Sequence, residues 1–517
     1  MPEPTCRNPV LPGFAADPSI CRVGRDHYLV NSSFELFPGL PIHHSRDLVH
    51  WRLIGHAVAR ERALPLAGRG SSRGLFAPTL RHGAGRFWIV CTDVDGGGGF
   101  LLHAHHAAGP WSDPVWLPEH TFGMDPSLFF DDDGTVYYTR HGGGERGAVY
   151  QAVIDLDAGR LLGPARPIWR GTGGIWPEGP HLFKRRGWYY LLLAEGGTSY
   201  GHAVTMARAR SPWGPFEPHP GNPVLTHRDH PDEPLQALGH ADLLLGDGAH
   251  DWAVLLGVRP QEVEGVRNHH LGRETLLAPV RWRDDGWPVF NEGRPLAPDI
   301  PSAGLPPLRP WPEPDVLERF EPAPSLPLHW QRLRGEASGR WSLHARPGWL
   351  RLQPGEAGLA DIGTPALLLR PQRHAAMRLE TELAFDPRAP GDAAGLALRQ
   401  SEAHHATVQV GWAGERVVQL RQRAGGPDLL RATQPLPPGP VALRVDATPA
   451  HYRFAWRAGA GDWQPLGELP TAALSTETAG GFLGVHLGPF AEASRLRPVA
   501  DAPPADFAWI RLEPGRV

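Results

Sequence analysis

Short apolar or alternating runs, cut at close intervals by Gly, Pro, Asp and Asn, fill the chain, and no stretch keeps a helical period of any length. Five of these runs follow one order. They are "DPSICRVGRDHYLVNSS" from Asp17, "APTLRHGAGRFWIVCTD" from Ala77, "DPSLFFDDDGTVYYTRH" from Asp125, "EGPHLFKRRGWYYLLLAEGG" from Glu178 and "HADLLLGDGAHDWAVLLG" from His240. Each has a small or polar opening, a short apolar stretch, a polar or Gly-rich turn, and then a β-run. A second set follows the first, unit by unit: "SRDLVHWRLIGHAV", "AAGPWSDPVWL", "LLGPARPIWRG", "RSPWGPFEPHPGNPVL" and "RETLLAPVRWRDDGWPVF". Units recurring at roughly 50 to 65 residues, each with room for about four strands, predict the blades of a β-propeller. Five units between about residue 10 and residue 300 predict five blades. A β-rich domain with repeated hairpin signals is the plainer alternative, but it does not require two independent echoes to keep the same order five times.

In a propeller the first strand of each blade lies nearest the central axis, so residues at one phase of the repeats meet at one mouth of the channel. Asp17, Asp125, Glu178 and His240 share that phase to within a residue. A carboxyl cluster there can bind a cation, make structural hydrogen bonds, or carry out acid/base chemistry. Glycosidic hydrolysis needs one carboxylic acid to protonate the departing oxygen and one carboxylate acting across the sugar; an inverting pair stands roughly 6.5 to 9.5 Å apart, leaving room for water. A third carboxylate raises the acid's pKa by like-charge proximity.

Composition narrows the choices. A chain of 517 residues predicts two or three domains, and 62 Gly, 57 Pro and 19 Trp favour strands and turns. The formal net charge of −4, without a basic stripe, argues against nucleic acid as a partner. No apolar run is long enough to cross a bilayer. Cys6, Cys21 and Cys91 make no disulfide framework and have no metal-ligand spacing. The opening "MPEPTCRNPVLPGF" has neither the basic start nor the apolar stretch of a signal peptide, so a cytoplasmic location is expected.

Three motifs invite other readings. "GTSYG" fits the nucleophile-elbow pattern at Ser199, but nothing helical follows it. "HAHH" at 103–106 reads as a surface strand with His103 and His105 on one face, and "FFDDDGTVYY" reads as a hairpin turn that lacks the spaced ligands of a Ca²⁺ loop.

Together with "WPEGPHLFKR", "AEGGTSYGHAVTMARARSPWGPFE", "GHADL" and "HHLGRETLLAPV", the opening stretch from Asn8 to Val58 resembles glycoside hydrolase family 43, in its β-xylosidase and α-L-arabinofuranosidase branch. The resemblance implies a five-bladed propeller and an inverting mechanism. It makes Asp17 the general base that activates water, Glu178 the general acid, and Asp125 the residue that tunes and orients the acid. Arg273 in "GRET" matches an arginine that reaches sugar hydroxyls. His240 matches a histidine near the axis that contacts sugar or helps hold a central water or Ca²⁺. Phe34 is expected in an apolar wall beside the sugar. Phe76 stands where relatives carry Trp or Tyr, and Thr198 is a further pocket residue.

From about Arg294 the chain turns Pro-rich, and beyond it "RHAAMRLETELAFDP", "AGLALRQSEAHHATVQVGW", "ERVVQLRQRA", "VALRVDATPAHYRFAWRA" and "ADFAWIRLEP" predict a two-sheet sandwich. The expected organisation is all-β: a propeller over 1–300, a connector over 301–317 and a concanavalin-like jelly-roll sandwich over 318–517. By resemblance, a sandwich loop supplies Phe482 to the active-site mouth. The activity implied is release of xylose from the non-reducing ends of xylo-oligosaccharides, with or without L-arabinofuranose, or a dedicated α-L-arabinofuranosidase acting on arabinoxylo-oligosaccharides. A sugar-binding propeller without catalysis is a different class, and a protein-interaction propeller lacks its WD signature. No cofactor is required, although the resemblance allows Ca²⁺ at the propeller centre; a homo-oligomer is also allowed.

Overall fold

A computed structural model describes residues 5–120, 122–246, 251–312 and 316–515. The chain divides into two compact units. The first comprises Met1–Leu64, Arg73–Arg259 and Arg273–Trp311; the second comprises Pro65–Ser72, Pro260–Gly272 and Pro312–Val517.

The first unit is a five-bladed propeller. Blade one runs Ser19–Val23, Asp26–Val30, Gly39–Ser45 and Arg52–Val58 from axis to rim; blade two runs Thr79–Gly83, Arg86–Val94, Gly98–Ala104 and Val115–Trp116. Blade three runs Met124–Phe130, Val136–Gly142, Ala148–Asp155 and Arg166–Trp169. Blade four has Glu178–Arg185, Trp188–Glu195 and Ala203–Ala209, with the short Glu217–Pro218 and Leu225–Thr226 sharing its rim. Blade five has Gln236–Leu244, Asp251–Val258, Glu274–Trp282 and Pro288–Phe290. Residues 247–250, in the first turn expected for blade five, lie outside the described residues, as do 313–315 of the Pro-rich connector. All blade pairings are antiparallel, and the five inner strands neighbour one another in cyclic order.

The strands are built from aromatic and branched residues that suit a sheet buried on both faces. "WYYLLLAE" at 188–195 is buried along almost its whole length, because each blade packs on two others. The ring is closed by its start and end. Thr5–Arg7 pairs with Asp299–Pro301, Cys6 opposite Ile300, and the Asn8 amide exchanges bonds of 2.9 and 2.8 Å with the Leu277 backbone. The strand expected through "HAHH" stops at Ala104: His103 leans on the Trp88 indole at 5.4 Å, and His105 and His106 are exposed in a bend where the chain turns toward Gly109-Pro110.

The second unit holds a sandwich of two antiparallel sheets. One sheet is centred on Ala505–Pro514, Met377–Ala384, Val441–Ala447 and His451–Ala458; the other is centred on His486–Glu492, Ala393–Arg399, His404–Trp412 and Arg416–Ala424. Leu379, Leu383, Leu396, Val408, Leu443, Val445, Phe454 and Phe507 fill the core. The segments 65–72 and 260–272 also belong to this unit. Arg399 donates to Ser71 Oγ at 3.0 Å, the His269 ring meets Glu477 at 2.8 Å, and the Val485 N–H donates to the His270 carbonyl at 2.7 Å.

Candidate active site

Inner strands enter at Asp17-Pro18-Ser19, Asp125-Pro126-Ser127, Gly179-Pro180-His181 and His240-Ala241-Asp242. At each entry the leading residue is left-handed, with φ of 51° at Asp17, 54° at Asp125, 57° at Gly179 and 50° at His240. In blades three, four and five the ladder also slips beside it, between Met124 and Ser127, Glu178 and His181, and Gly239 and Asp242. A bulge with a left-handed residue re-aims a side chain out of the ladder. The conformation costs a non-glycine residue about 1 to 2 kcal/mol, which the surrounding structure must hold. This is why carboxylates begin strands here.

In blade four the left-handed position is glycine, and the carboxylate moves one residue earlier, to Glu178. A Cβ at Gly179 would stand 2.9 Å from His240 Nε2, so the histidine of blade five lies directly over the backbone of blade four. The same imidazole places Nδ1 3.6 Å from Asp17 Oδ1. The Gly179 N–H donates to Asp125 Oδ2 at 3.2 Å. Asp17, Asp125, Glu178 and His240 therefore meet across four blades, as expected from their phase.

Arg273, the residue before the third strand of blade five, joins them. Its Nη1 donates to Asp17 Oδ1 at 2.8 Å and to Thr198 Oγ1 at 3.1 Å, and its guanidinium lies 5.6 Å from the Phe34 ring centre. Phe34 meets Phe76 edge-on at 5.1 Å and Phe14 at 6.0 Å, forming an apolar wall beside the charged cluster. Phe482 lies in the second unit, where its backbone N–H donates to Ser72 Oγ at 2.7 Å.

The carboxyls are almost removed from water, at 4% exposure for Asp17, 6% for Asp125 and 9% for Glu178, and their surroundings separate them. Burial works to raise the Asp17 carboxyl, but Arg273, His240 and a hydrogen bond from Ser32 together hold it below the ordinary aspartate value. Burial and the charges of Asp125 and Asp17 push Glu178 well above the ordinary glutamate value, with Arg273 opposing. Burial raises Asp125 too, with Asp17 adding to the rise and His240, His141 and the Gly179 N–H opposing. Two carboxyls of one buried cluster shifted in opposite directions, Asp17 down and Glu178 up, are what acid/base chemistry needs.

Below this layer the axis is occupied by residues absent from the sequence expectation. Arg81 of blade two donates to both oxygens of the fully buried Asp242 of blade five at 2.7 and 3.0 Å. It also donates to Ser19 Oγ of blade one at 3.1 Å and to His181 Nδ1 of blade four at 3.0 Å. Burial drives His181 down to about 3, so its neutral ring accepts that bond despite Asp242 nearby. Asp242 is not free to hold a central Ca²⁺. The axial carboxylate already holds a guanidinium, and among the described residues no group of three or more His, Cys, Asp or Glu has metal-binding geometry.

Ser32 and His202 were also missed. Burial and His240 push His202 down to about 3, and its ring covers Gly239, where a Cβ would lie 2.2 Å away. "NSS" and "SYGHAV" give no phase signal, because Ser32 follows the second strand of blade one and His202 precedes the third strand of blade four. Asp242 and His181 were within reach of the repeat, standing two and three residues beyond His240 and Glu178.

Comparison with known proteins agrees with this architecture. Residues 6–288 match the model of glycosyl hydrolases family 43, and residues 318–513 match the beta xylosidase C-terminal concanavalin A-like domain. The chain is 40% identical over 522 residues to a non-reducing end alpha-L-arabinofuranosidase of Bacteroides ovatus, covering 99% of this chain and 95% of that one. It is 37% identical over 504 residues to a xylosidase/arabinosidase of Butyrivibrio fibrisolvens, covering 94% and 96%. A solved structure titled as GH43B of a Bacteroides ovatus xyloglucan locus superposes with a TM-score of 0.92 at 39% identity, covering 99% of this chain and all of that one. With five blades, a matched catalytic region and full-length relatives, the chain belongs to glycosyl hydrolases family 43 and is a glycoside hydrolase.

Proposed function

We propose that this glycoside hydrolase is an inverting exo-enzyme that releases xylose from the non-reducing ends of xylo-oligosaccharides and accepts L-arabinofuranose in the same pocket. The observation that carries the reading is one buried cluster in which, against burial, Arg273 at 2.8 Å holds the Asp17 carboxyl below the ordinary aspartate value, while burial and Asp125 push Glu178 well above the ordinary glutamate value. Asp17 takes a proton from water as the water oxygen bonds to the anomeric carbon. Glu178 gives its proton to the glycosidic oxygen as that bond breaks. Asp125, beside Glu178 through the Gly179 N–H, keeps the acid protonated by its own negative charge. Arg273 and Thr198 face sugar hydroxyls, and Phe34 and Phe76 form the apolar side of the pocket.

The names of the Butyrivibrio relative and of the C-terminal domain model support a xylosidase. The name of the Bacteroides ovatus relative favours the second reading, a dedicated α-L-arabinofuranosidase. Turnover of aryl β-D-xylopyranoside, aryl α-L-arabinofuranoside and xylobiose separates the two. The first reading expects xylobiose cleavage and kcat/KM higher for the xyloside. A preference for the arabinofuranoside with intact xylobiose selects the second, and release from none of the three contradicts both.

A further inference from the structure

Between the rim strand of blade three and Glu178 the chain crosses in eight residues, 170–177, that form no strand and include Gly171, Gly173 and Gly174. Such a segment has little stiffness of its own, yet it ends on the residue that must meet the leaving oxygen. It is held instead by both neighbouring blades. Glu195, the last residue of the second strand of blade four and 3% exposed, accepts from the Thr172 N–H at 2.6 Å and from the Thr172 hydroxyl. Gly171 makes room for that carboxylate: at φ 71°, a Cβ there would overlap Glu195 Oε1 at 1.6 Å. The Gly196 N–H donates to the Ile175 carbonyl at 2.8 Å, and the Trp176 N–H donates to the Glu145 carbonyl at 2.7 Å. Nearest the acid, His141 of blade three, 2% exposed, bonds through Nδ1 to the Pro177 carbonyl at 2.9 Å. A carbonyl only accepts, so this nitrogen carries the proton and the ring orientation is fixed.

We propose that His141 and Glu195 are positioning residues for the general acid: they latch the 171–177 crossing to blades three and four so that the Glu178 carboxyl stands at the leaving-group oxygen. The inference rests on Glu178 being the acid. Neither latch touches the sugar or the attacking water. Their loss therefore impairs proton delivery to the leaving group while leaving base and binding in place. A displacement near 1 Å is enough to cost about a hundredfold in rate.

Leaving-group dependence reads this directly. A 2,4-dinitrophenolate departs without help from an acid, whereas the sugar alkoxide leaving xylobiose does not. The wild type, E178A, H141A, H141N and E195A are assayed on 2,4-dinitrophenyl β-D-xylopyranoside and on xylobiose, or on the matching arabinofuranosides if the enzyme prefers them, with thermal midpoints measured alongside. H141A and E195A are expected to lose about 10- to 100-fold in kcat on the disaccharide, less than about threefold on the dinitrophenyl glycoside, and little in KM. H141N, whose amide nitrogen can occupy the Nδ1 position and donate to Pro177, is expected to recover most of the loss. Should H141A or E195A fail to fold, H141N against H141Q decides, because only the shorter amide reaches that carbonyl. Equal losses on both substrates, or no advantage of H141N over H141Q, overturn the latch. An E178A variant without leaving-group dependence overturns the acid assignment itself, so the two failures are distinguishable.

Discussion

Replacing Gly179 with alanine tests whether blades four and five are joined as described. Two costs follow from the geometry. The residue sits at φ 57°, where an L side chain loses about 1 to 2 kcal/mol. The new methyl also lands 2.9 Å from His240 Nε2 and 3.0 Å from its Cδ2, closer than real contacts allow, which adds an overpacking cost of about 1 to 3 kcal/mol. Gly187, in the hairpin turn of the same blade, supplies the control: at φ 74° its Cβ has only Arg210 Nη1 at 3.8 Å, so it carries the conformational cost alone. G179A is therefore expected to be less stable than G187A by about 1 to 3 kcal/mol in urea unfolding. The displaced imidazole lies against Asp17, so kcat on an aryl xyloside should fall about 10- to 100-fold in G179A and stay near wild type in G187A. Equal stability and equal kcat in the two variants would refute the packing of His240 over the acid-bearing strand.

Other perturbations address the charges. The kcat/KM profile should rise as Asp17 ionises, below the ordinary aspartate range, and fall as Glu178 ionises, above the ordinary glutamate range; D125N should move the upper limb to lower pH by removing a like charge. An upper limb unmoved in D125N contradicts that role. R273A leaves Asp17 buried without its guanidinium and should cost about 3 to 5 kcal/mol of stability along with most activity, measured by urea unfolding and turnover. D242A strands Arg81 in the axis, with a similar expected loss in urea; a loss under about 1 kcal/mol would mean that the pair does not brace the blades. With Asp242 already paired, EDTA should leave the thermal midpoint and kcat unchanged, and a loss reversed by Ca²⁺ would contradict the axial assignment.

The parts of this enzyme legible from its sequence are those written in repeats. Each blade must bury both faces and begin at the axis, so the apolar runs and their Asp-Pro openings recur, and that phase was enough to gather Asp17, Asp125, Glu178 and His240. Arg273, Thr198, Phe34 and Phe76 are legible only through family resemblance, since they enter from segments between the blade strands that no period marks. Arg81, His202, His141 and Glu195 left no trace, because each matters through a partner on another strand or blade: Arg81 through Asp242, His141 through the Pro177 carbonyl. The end of the "HAHH" strand at Ala104 is not legible for a similar reason, since polar letters suited to a surface strand continue after the ladder stops. The sandwich strands were readable where one face is buried, as in Val441–Ala447, and missed in Gln464–Pro470, whose residues are mostly exposed. The recruitment of 65–72 and 260–272 into the second unit follows from hydrogen bonds such as His269 to Glu477, between positions about two hundred residues apart.

The claim on which the rest depends is that an ionised Asp17 and a protonated Glu178 work on opposite sides of one sugar, with a water between. Proton NMR of the first xylose released from an aryl β-D-xylopyranoside, recorded before mutarotation, tests it most directly. The account predicts α-xylose as the initial product; β-xylose appearing first would contradict it.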